Sequence, residues 1–196
     1  MGSTAIPEAG AMSANPCSHR LASAVLTLAC ILGGQTGPSA QVGPYPVEPS
    51  GEAAPLICTR GLVIDGDTLE LVCGGEAVRV RLHCIDAPEL GQGRWGRASR
   101  EHLRSLVPRI VIVLPKPTDL GYRDRFGRIV GKLLSPDESR RNLNLALVLS
   151  GQAAVYPKYC TEERYYWVEQ VARHSEVGIW GTGGLQQTPW VWRQGG

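Results

Sequence analysis

Asp65-Gly66 and Gly74-Gly75 stand so close together that the residues between them, Thr68 to Cys73, have room for one short strand and little else. Asp-Gly between two apolar runs is a strong hairpin signal, because glycine enters the positive φ that tight turns require. The chain is therefore expected to run out along Leu56 to Ile64, back along Thr68 to Cys73, and out again along Ala77 to Ile85. In the last run Val78, Val80 and Leu82 alternate with Arg79, Arg81 and His83, the period of a strand with one buried face.

Beyond this meander, Ala98, Leu103, Leu106 and Val107 recur at helical spacing over residues 97–107, and Pro108 stops the run. Arg109 to Leu114 is rich in β-branched residues, and Ile129 to Leu134 follows the Gly127 turn as its partner. Asn142 to Ser150 and Glu162 to Val177 read as helices closed by Gly151 and Gly178. Three strands, a helix, two strands and two helices predict an α+β domain: a five-stranded OB-type β-barrel with about three helices packed outside. The domain is expected over residues 55–181, which is long enough to bury a core unaided. Residues 182–196 form a tail whose Trp190 and Trp192 either pack on the domain or hang free.

The N-terminus reads as an export signal over residues 1–40. His19 and Arg20 precede the apolar run Leu21 to Leu32, whose 12 residues are too few to span a bilayer. Cleavage is expected between Thr36 and Ala40, with an uncleaved anchor as the alternative; a lipidated Cys30 fits less well, because Thr27 stands where such signals prefer Leu. Residues 41–54, rich in Pro and Gly, form a linker. The expected destination is secreted or periplasmic. Two of the six cysteines fall in the removed segment, leaving Cys58, Cys73, Cys84 and Cys160. Four cysteines in an exported domain suggest disulfides. Cys58 and Cys73 lie seven residues either side of Asp65-Gly66, which pairs them across the hairpin and leaves Cys84 with Cys160. Neighbouring strands can constrain disulfide geometry too tightly, so free buried thiols are the alternative. No C-x-x-C pair is present and no two histidines sit at ligand spacing, which argues against zinc.

Net charge is only +2, so no strong global field draws nucleic acid to the chain. The chemistry is concentrated in Ile64-Asp65-Gly66-Asp67-Thr68, in Arg81 through Glu89, and in Asp124-Arg125-Phe126-Gly127-Arg128. Together they offer carboxylates for one hard metal ion, a further carboxylate for a water, and two arginines. Those are the parts a phosphodiester-cleaving site needs. Asp67 follows the hairpin turn and Asp86 ends the third strand; in a closed barrel two such positions can meet at one rim. Asp67, Asp86 and the Ala87 carbonyl would make an oxygen-rich site suited to one Ca²⁺ ion, ahead of Mg²⁺. Asp65 reads as a turn former only. Arg79 and Arg81 share a strand face, so alternation does not choose between them.

The runs "VIDGDTLEL", "VRLHCIDAPE", "DRFGRIVGKL", "LVLSGQAAVY" and "VGIW", in this order from about Pro55 to Trp180, resemble the staphylococcal nuclease-like (thermonuclease) family. The resemblance implies the same barrel and a calcium-dependent nuclease. By motif position it makes Asp67 and Asp86 metal ligands, Glu89 the general base or water-orienting group, and Arg81 and Arg128 the catalytic arginines. Tyr156 and Tyr159 lie near family positions where aromatic rings flank the substrate. Three departures stand out: Phe126 replaces the tyrosine of the staphylococcal enzyme, the segment after Glu89 is shorter, and Cys84 sits inside the central motif.

The expected protein is thus an exported calcium-dependent nuclease, monomeric and without a stable protein partner, that hydrolyses DNA and RNA with little sequence preference. The family resemblance implies 3′-phosphate products. The rival is a barrel that binds nucleic acid or protein and has lost catalysis. Such domains lose the arginines or acids, whereas Asp67, Arg81, Asp86, Glu89 and Arg128 are all present.

Overall fold

A computed structural model describes residues 53–195. The expected export segment, with Cys30 and the expected cleavage region, and most of the expected linker lie outside the described residues. Strands β1 (Leu56–Val63), β2 (Thr68–Cys73) and β3 (Glu76–Leu82) form the meander. With β5 (Ile110–Pro115) and β6 (Ile129–Leu134) they close a barrel in the order β1-β2-β3-β6-β5. All pairs are antiparallel except β3 with β6. Leu69, Leu71, Val80, Leu82, Val111, Val113, Ile129 and Leu133 fill the interior, each at most 1% exposed. Helices α1 (Arg94–Leu106), α2 (Leu143–Leu149) and α3 (Glu163–His174) pack outside through Leu103, Leu147 and Tyr165. The barrel and its helices are thus the predicted α+β architecture, with a fourth helix added by the tail: α4, Pro189–Gly195.

The third strand ends earlier than its alternation suggests. β3 stops at Leu82, and Cys84 turns the chain at φ 71°. Ile85–Asp86 then forms a separate strand, β4, paired with Ala154–Val155, β7. So Asp86 does not end the third strand, as expected; it lies beyond a break. The break is held by Asn144, whose buried amide donates to the carbonyls of His83 at 3.0 Å and Gly131 at 3.2 Å and accepts the Leu133 N–H at 3.0 Å. A helix side chain thus supplies hydrogen bonds that a longer ladder would have made.

α1 begins at Arg94, earlier than the 97 expected, and α3 stops at His174 instead of continuing to Val177. The ends of α2 and α3 meet through two glycines. Gly151 (φ 63°) and Gly178 (φ 56°) press so closely that a Cβ on Gly178 would lie 2.0 Å from the Gly151 carbonyl oxygen. Only glycine fits there.

Cys58 and Cys73 face each other across β1 and β2 and are disulfide-bonded. A second bridge joins Cys84, at the strand break, to Cys160 ahead of α3, spanning 76 residues of sequence against 15 for the first. The longer loop removes more freedom from the unfolded chain, by about 1–1.5 kcal/mol in the chain-entropy account. Urea denaturation should therefore show Cys84→Ala/Cys160→Ala less stable than Cys58→Ala/Cys73→Ala by about that amount. The reverse order would mean that strand geometry, and not loop closure, sets the contribution of these bridges.

Candidate active site

The loop between β1 and β2 is shaped by its own polar groups. The Asp65 carboxylate accepts the Asp67 N–H at 2.9 Å, and the N–H groups of Ile64 and Asp65 both reach the Thr68 carbonyl, at 3.0 and 3.2 Å. This delivers Asp67, buried, to the barrel rim. Asp67 Oδ2 accepts the Ala87 N–H at 2.7 Å, while Oδ1 accepts the Thr68 hydroxyl at 3.0 Å. The strand break places Asp86 beside it, fully buried.

Arg81 pairs in register with Thr68 and therefore shares this rim. Its Nη2 lies 2.7 Å from Asp86 Oδ1 and 3.2 Å from Asp67 Oδ2, so two carboxylates converge on one cationic nitrogen. Its Nη1 donates to the carbonyls of Leu82 and Ile85 at 2.9 and 2.8 Å. Arg79, two residues back, instead has a side chain 64% exposed and pairs with Glu70 at 3.1 Å. Position along the strand, not strand face, separates the two arginines.

Arg128 reaches the same rim from the turn before β6. Its guanidinium grips Asp124 through Nε at 2.8 Å and Nη2 at 2.7 Å, and Nη1 donates to Thr68 Oγ1 at 3.5 Å. Partial burial works against the charge of Asp124, but the Arg128 bonds outweigh it and hold that carboxyl below its usual range. Thr68 thus links Arg128 to Asp67. Phe126, 68% exposed, has two guanidinium groups over its ring, Arg125 at 4.8 Å and Arg128 at 5.3 Å from its centre.

Glu89 follows Pro88 in the loop before α1, where its N–H donates to Gln92 Oε1 at 2.7 Å. It does not touch Arg81 or Asp67 directly. A residue that sequence reasoning missed joins it to the rest: Arg193 of α4 donates from Nη1 to Glu89 Oε1 at 2.5 Å and from Nη2 to Asp86 Oδ2 at 2.7 Å. Burial opposes the charge of Arg193, yet the two acids prevail and raise its pKa. Tyr156 extends from β7, its N–H donating to the Cys84 carbonyl at 2.9 Å. Its ring meets Tyr159 edge-on at 4.9 Å and stacks on Trp190 of α4 at 5.1 Å, the planes 8° apart. A signal for this helix was present in the tail. Thr188-Pro189 places a capping residue before a proline suited to the first helical position, and the Val191 N–H does reach the Thr188 carbonyl at 2.9 Å.

Negative charge is crowded at this rim. Burial first, then repulsion from Asp67, raises the pKa of Asp86 to about 6, against the pull of Arg81 and Arg193. The same two causes raise that of Asp65 to about 7. Buried oxygen donors with surplus negative charge suit a hard divalent cation, and Asp67 and Asp86 with the adjacent Ala87 carbonyl are the groups that fit one. His83, Cys84 and Glu162 also bring ligand-type atoms within 4.8 Å of one another. That cluster does not suit a metal: the Cys84 sulfur is in a disulfide and Glu162 holds Lys132 at 2.5 Å.

Comparison with known proteins agrees with this geometry. Residues 79–182 match the family model described as "Staphylococcal nuclease homologue". An Escherichia coli protein named "Uncharacterized endonuclease" is 38% identical over 133 residues, covering 67% of this chain and 80% of that protein. A Shigella flexneri protein named "Micrococcal nuclease" is 32% identical over 140 residues, covering 67% of this chain and 77% of its own length.

The crowding has a consequence for stability. A carboxyl with a folded pKa above its unfolded value makes the folded state bind the extra proton, so stability falls as pH rises between the two values. For Asp65 that window runs from 3.8 to about 7. The contribution of Asp65 to the stability of the metal-free protein should fall across it. Asp65→Asn keeps the oxygen that accepts the Asp67 N–H and should recover at least about 1 kcal/mol at alkaline pH, measured by urea denaturation in EDTA. Parallel pH profiles for the two proteins would show that Asp65 carries no such penalty.

Proposed function

This chain belongs to the staphylococcal nuclease homologue family and is a nuclease-type phosphodiester hydrolase; on that premise we propose that it is an exported, calcium-dependent enzyme that cleaves DNA and RNA with little sequence preference. The observation that carries the reading is the convergence of Asp67 and Asp86 on Arg81, with Arg128 tied to Asp67 through Thr68. Asp67, Asp86 and the Ala87 carbonyl would hold the cation, whose chemistry when bound is to polarise a phosphoryl oxygen. Glu89, or a water it orients, takes the proton of the attacking water. Arg81 and Arg128 stabilise the negative charge gathering on the phosphoryl oxygens. Cleavage of the P–O5′ bond would leave a 3′-phosphate, and Arg81 would also aid the departing oxygen.

Weak sequence preference follows from what the site offers. Its charged groups address phosphate, and its aromatic rings, Tyr156 and Tyr159, offer stacking, which tolerates any base. Phe126 presents a ring backed by two guanidinium groups where a phenol hydroxyl would add a hydrogen bond. Two disulfides favour an oxidising compartment and so support export.

The test is cleavage of single-stranded DNA, duplex DNA and RNA by the purified protein with Ca²⁺, Mg²⁺ or EDTA. Activity is expected with Ca²⁺ on all three substrates and none in EDTA; full activity in EDTA would overturn the mechanism. Arg81→Lys or Arg128→Lys keeps the charge but loses the fork, so kcat should fall by about 10²–10³ while affinity for nucleic acid changes far less. Arg79→Lys should turn over normally. Small, equal effects at all three positions, confined to binding, would reduce these arginines to an electrostatic surface.

A further inference from the structure

We propose that α4 is an inhibitory plug, in which Arg193 holds the place of the cation until calcium displaces it. The inference rests on the calcium-nuclease reading of the rim and assigns a role to residues outside the family motifs.

Both oxygens of Asp86 are taken: Oδ1 by Arg81 and Oδ2 by Arg193, each at 2.7 Å. A divalent cation bound to Asp86 would lie within a few ångströms of both guanidinium groups, and like charges at that range favour expelling the one held less firmly. Arg81 is anchored on β3, with a side chain only 13% exposed and two further bonds to backbone carbonyls. Arg193 sits on a seven-residue helix, and its side chain is 37% exposed. Arg193 is therefore the group that leaves. Charge points the same way. Arg193 neutralises Asp86 and Glu89 from between them, and a divalent cation brought to the same carboxylates would repel it strongly at such short range.

The plug blocks more than the metal. The carboxylate of Glu89, the proposed base, instead accepts a hydrogen bond from Arg193 through Oε1 at 2.5 Å. Trp190 lies flat on Tyr156, covering one face on which a substrate base would stack. Trp192 closes against the loop behind Glu89: a Cβ on Gly91 would lie 2.9 Å from its ring. One short helix thus meets a metal ligand, the base and an aromatic platform together.

The helix is also built to leave. Seven residues are too few for a helix to persist on its own in water, so α4 depends on the contacts that occupy the site. It is joined to the domain through the Gly181–Gly184 stretch and the turn Leu185–Gln187, which is tied down by Gln92 donating to the Leu185 carbonyl at 3.1 Å. Loss of the Arg193 pairs would leave the two indoles and the buried Pro189 to retain it. Calcium entry and plug release then become a single exchange, and whatever favours one favours the other by the same factor.

Calorimetric titration with Ca²⁺ alone tests this without relying on catalysis. Arg193→Gln keeps a polar side chain but removes the charge and shortens the reach, and should bind Ca²⁺ about 5- to 100-fold more tightly than the unaltered protein. Trp190→Ala, which loosens the helix without touching the rim, should shift affinity in the same direction, and Arg79→Gln, a surface control, should not change. In the unaltered protein, Ca²⁺ should also shift tryptophan emission as Trp190 leaves Tyr156, with the same midpoint as the heat signal. Cleavage assays in parallel separate the two readings. Tighter Ca²⁺ binding without cleavage by any variant supports the plug and removes the nuclease reading. Calcium-dependent cleavage with unchanged affinity in Arg193→Gln overturns the plug and leaves the nuclease intact. Weaker Ca²⁺ binding by Arg193→Gln, or no binding by any protein, overturns it as well.

Discussion

Arg81 presents one nitrogen to two carboxylates and the other to two backbone carbonyls, all at the mouth of a closed barrel. Asp86 is fully buried and Asp67 nearly so, and buried charges are tolerated only when paired and hydrogen-bonded. Removing one partner from such a cluster typically costs about 3–5 kcal/mol, because the remaining charges stay behind uncompensated. The rim is thus held by the same charges that its chemistry would use. Two acids and one arginine leave a surplus of negative charge, which a further cation can balance.

The frame that brings these charges together is made of ordinary parts. Apolar residues alternating along the strands fill the barrel interior, and the glycine turns bring successive strands back with little chain spent in loops. The decisive departure is at Leu82. There the chain leaves the barrel, Asn144 satisfies the freed backbone groups, and β4 pairs with β7. Had the third strand continued, Asp86 would have stayed in the β3 ladder, on whichever face its pleat allowed. The break turns it towards Asp67. Cys84 sits in the left-handed region at this bend, tied by its bridge to Cys160.

Arg193 places the surplus charge in a wider setting. A guanidinium and a divalent cation are alternative ways to neutralise Asp86 and Glu89, and the chain carries the first in its own tail. A rim poised for a metal ion and a tail that substitutes for it answer one electrostatic demand.

The local parts of this protein were legible in its sequence. The Gly74-Gly75 turn, the alternating strands and the symmetric spacing of Cys58 and Cys73 depend on near neighbours, and the structure shows both hairpins and the facing cysteines. At the Asp65-Gly66 turn, however, Gly66 has no positive φ and is instead required by the close approach of Ser99 and Ala87. The resemblance singled out Asp67, Arg81, Asp86, Glu89 and Arg128, although alternation alone left Arg79 and Arg81 equivalent. What the sequence could not convey was the end of β3 at Leu82, which is set by a side chain 61 residues away from the His83 carbonyl it binds. Nor could it convey Arg193, which meets Asp86 across 107 residues and Glu89 across 104. Periodicity reports which face of an element is apolar, and turn chemistry reports where the chain reverses. Neither says which charged groups a closed barrel will bring within reach of one another, because that depends on the path of the whole chain.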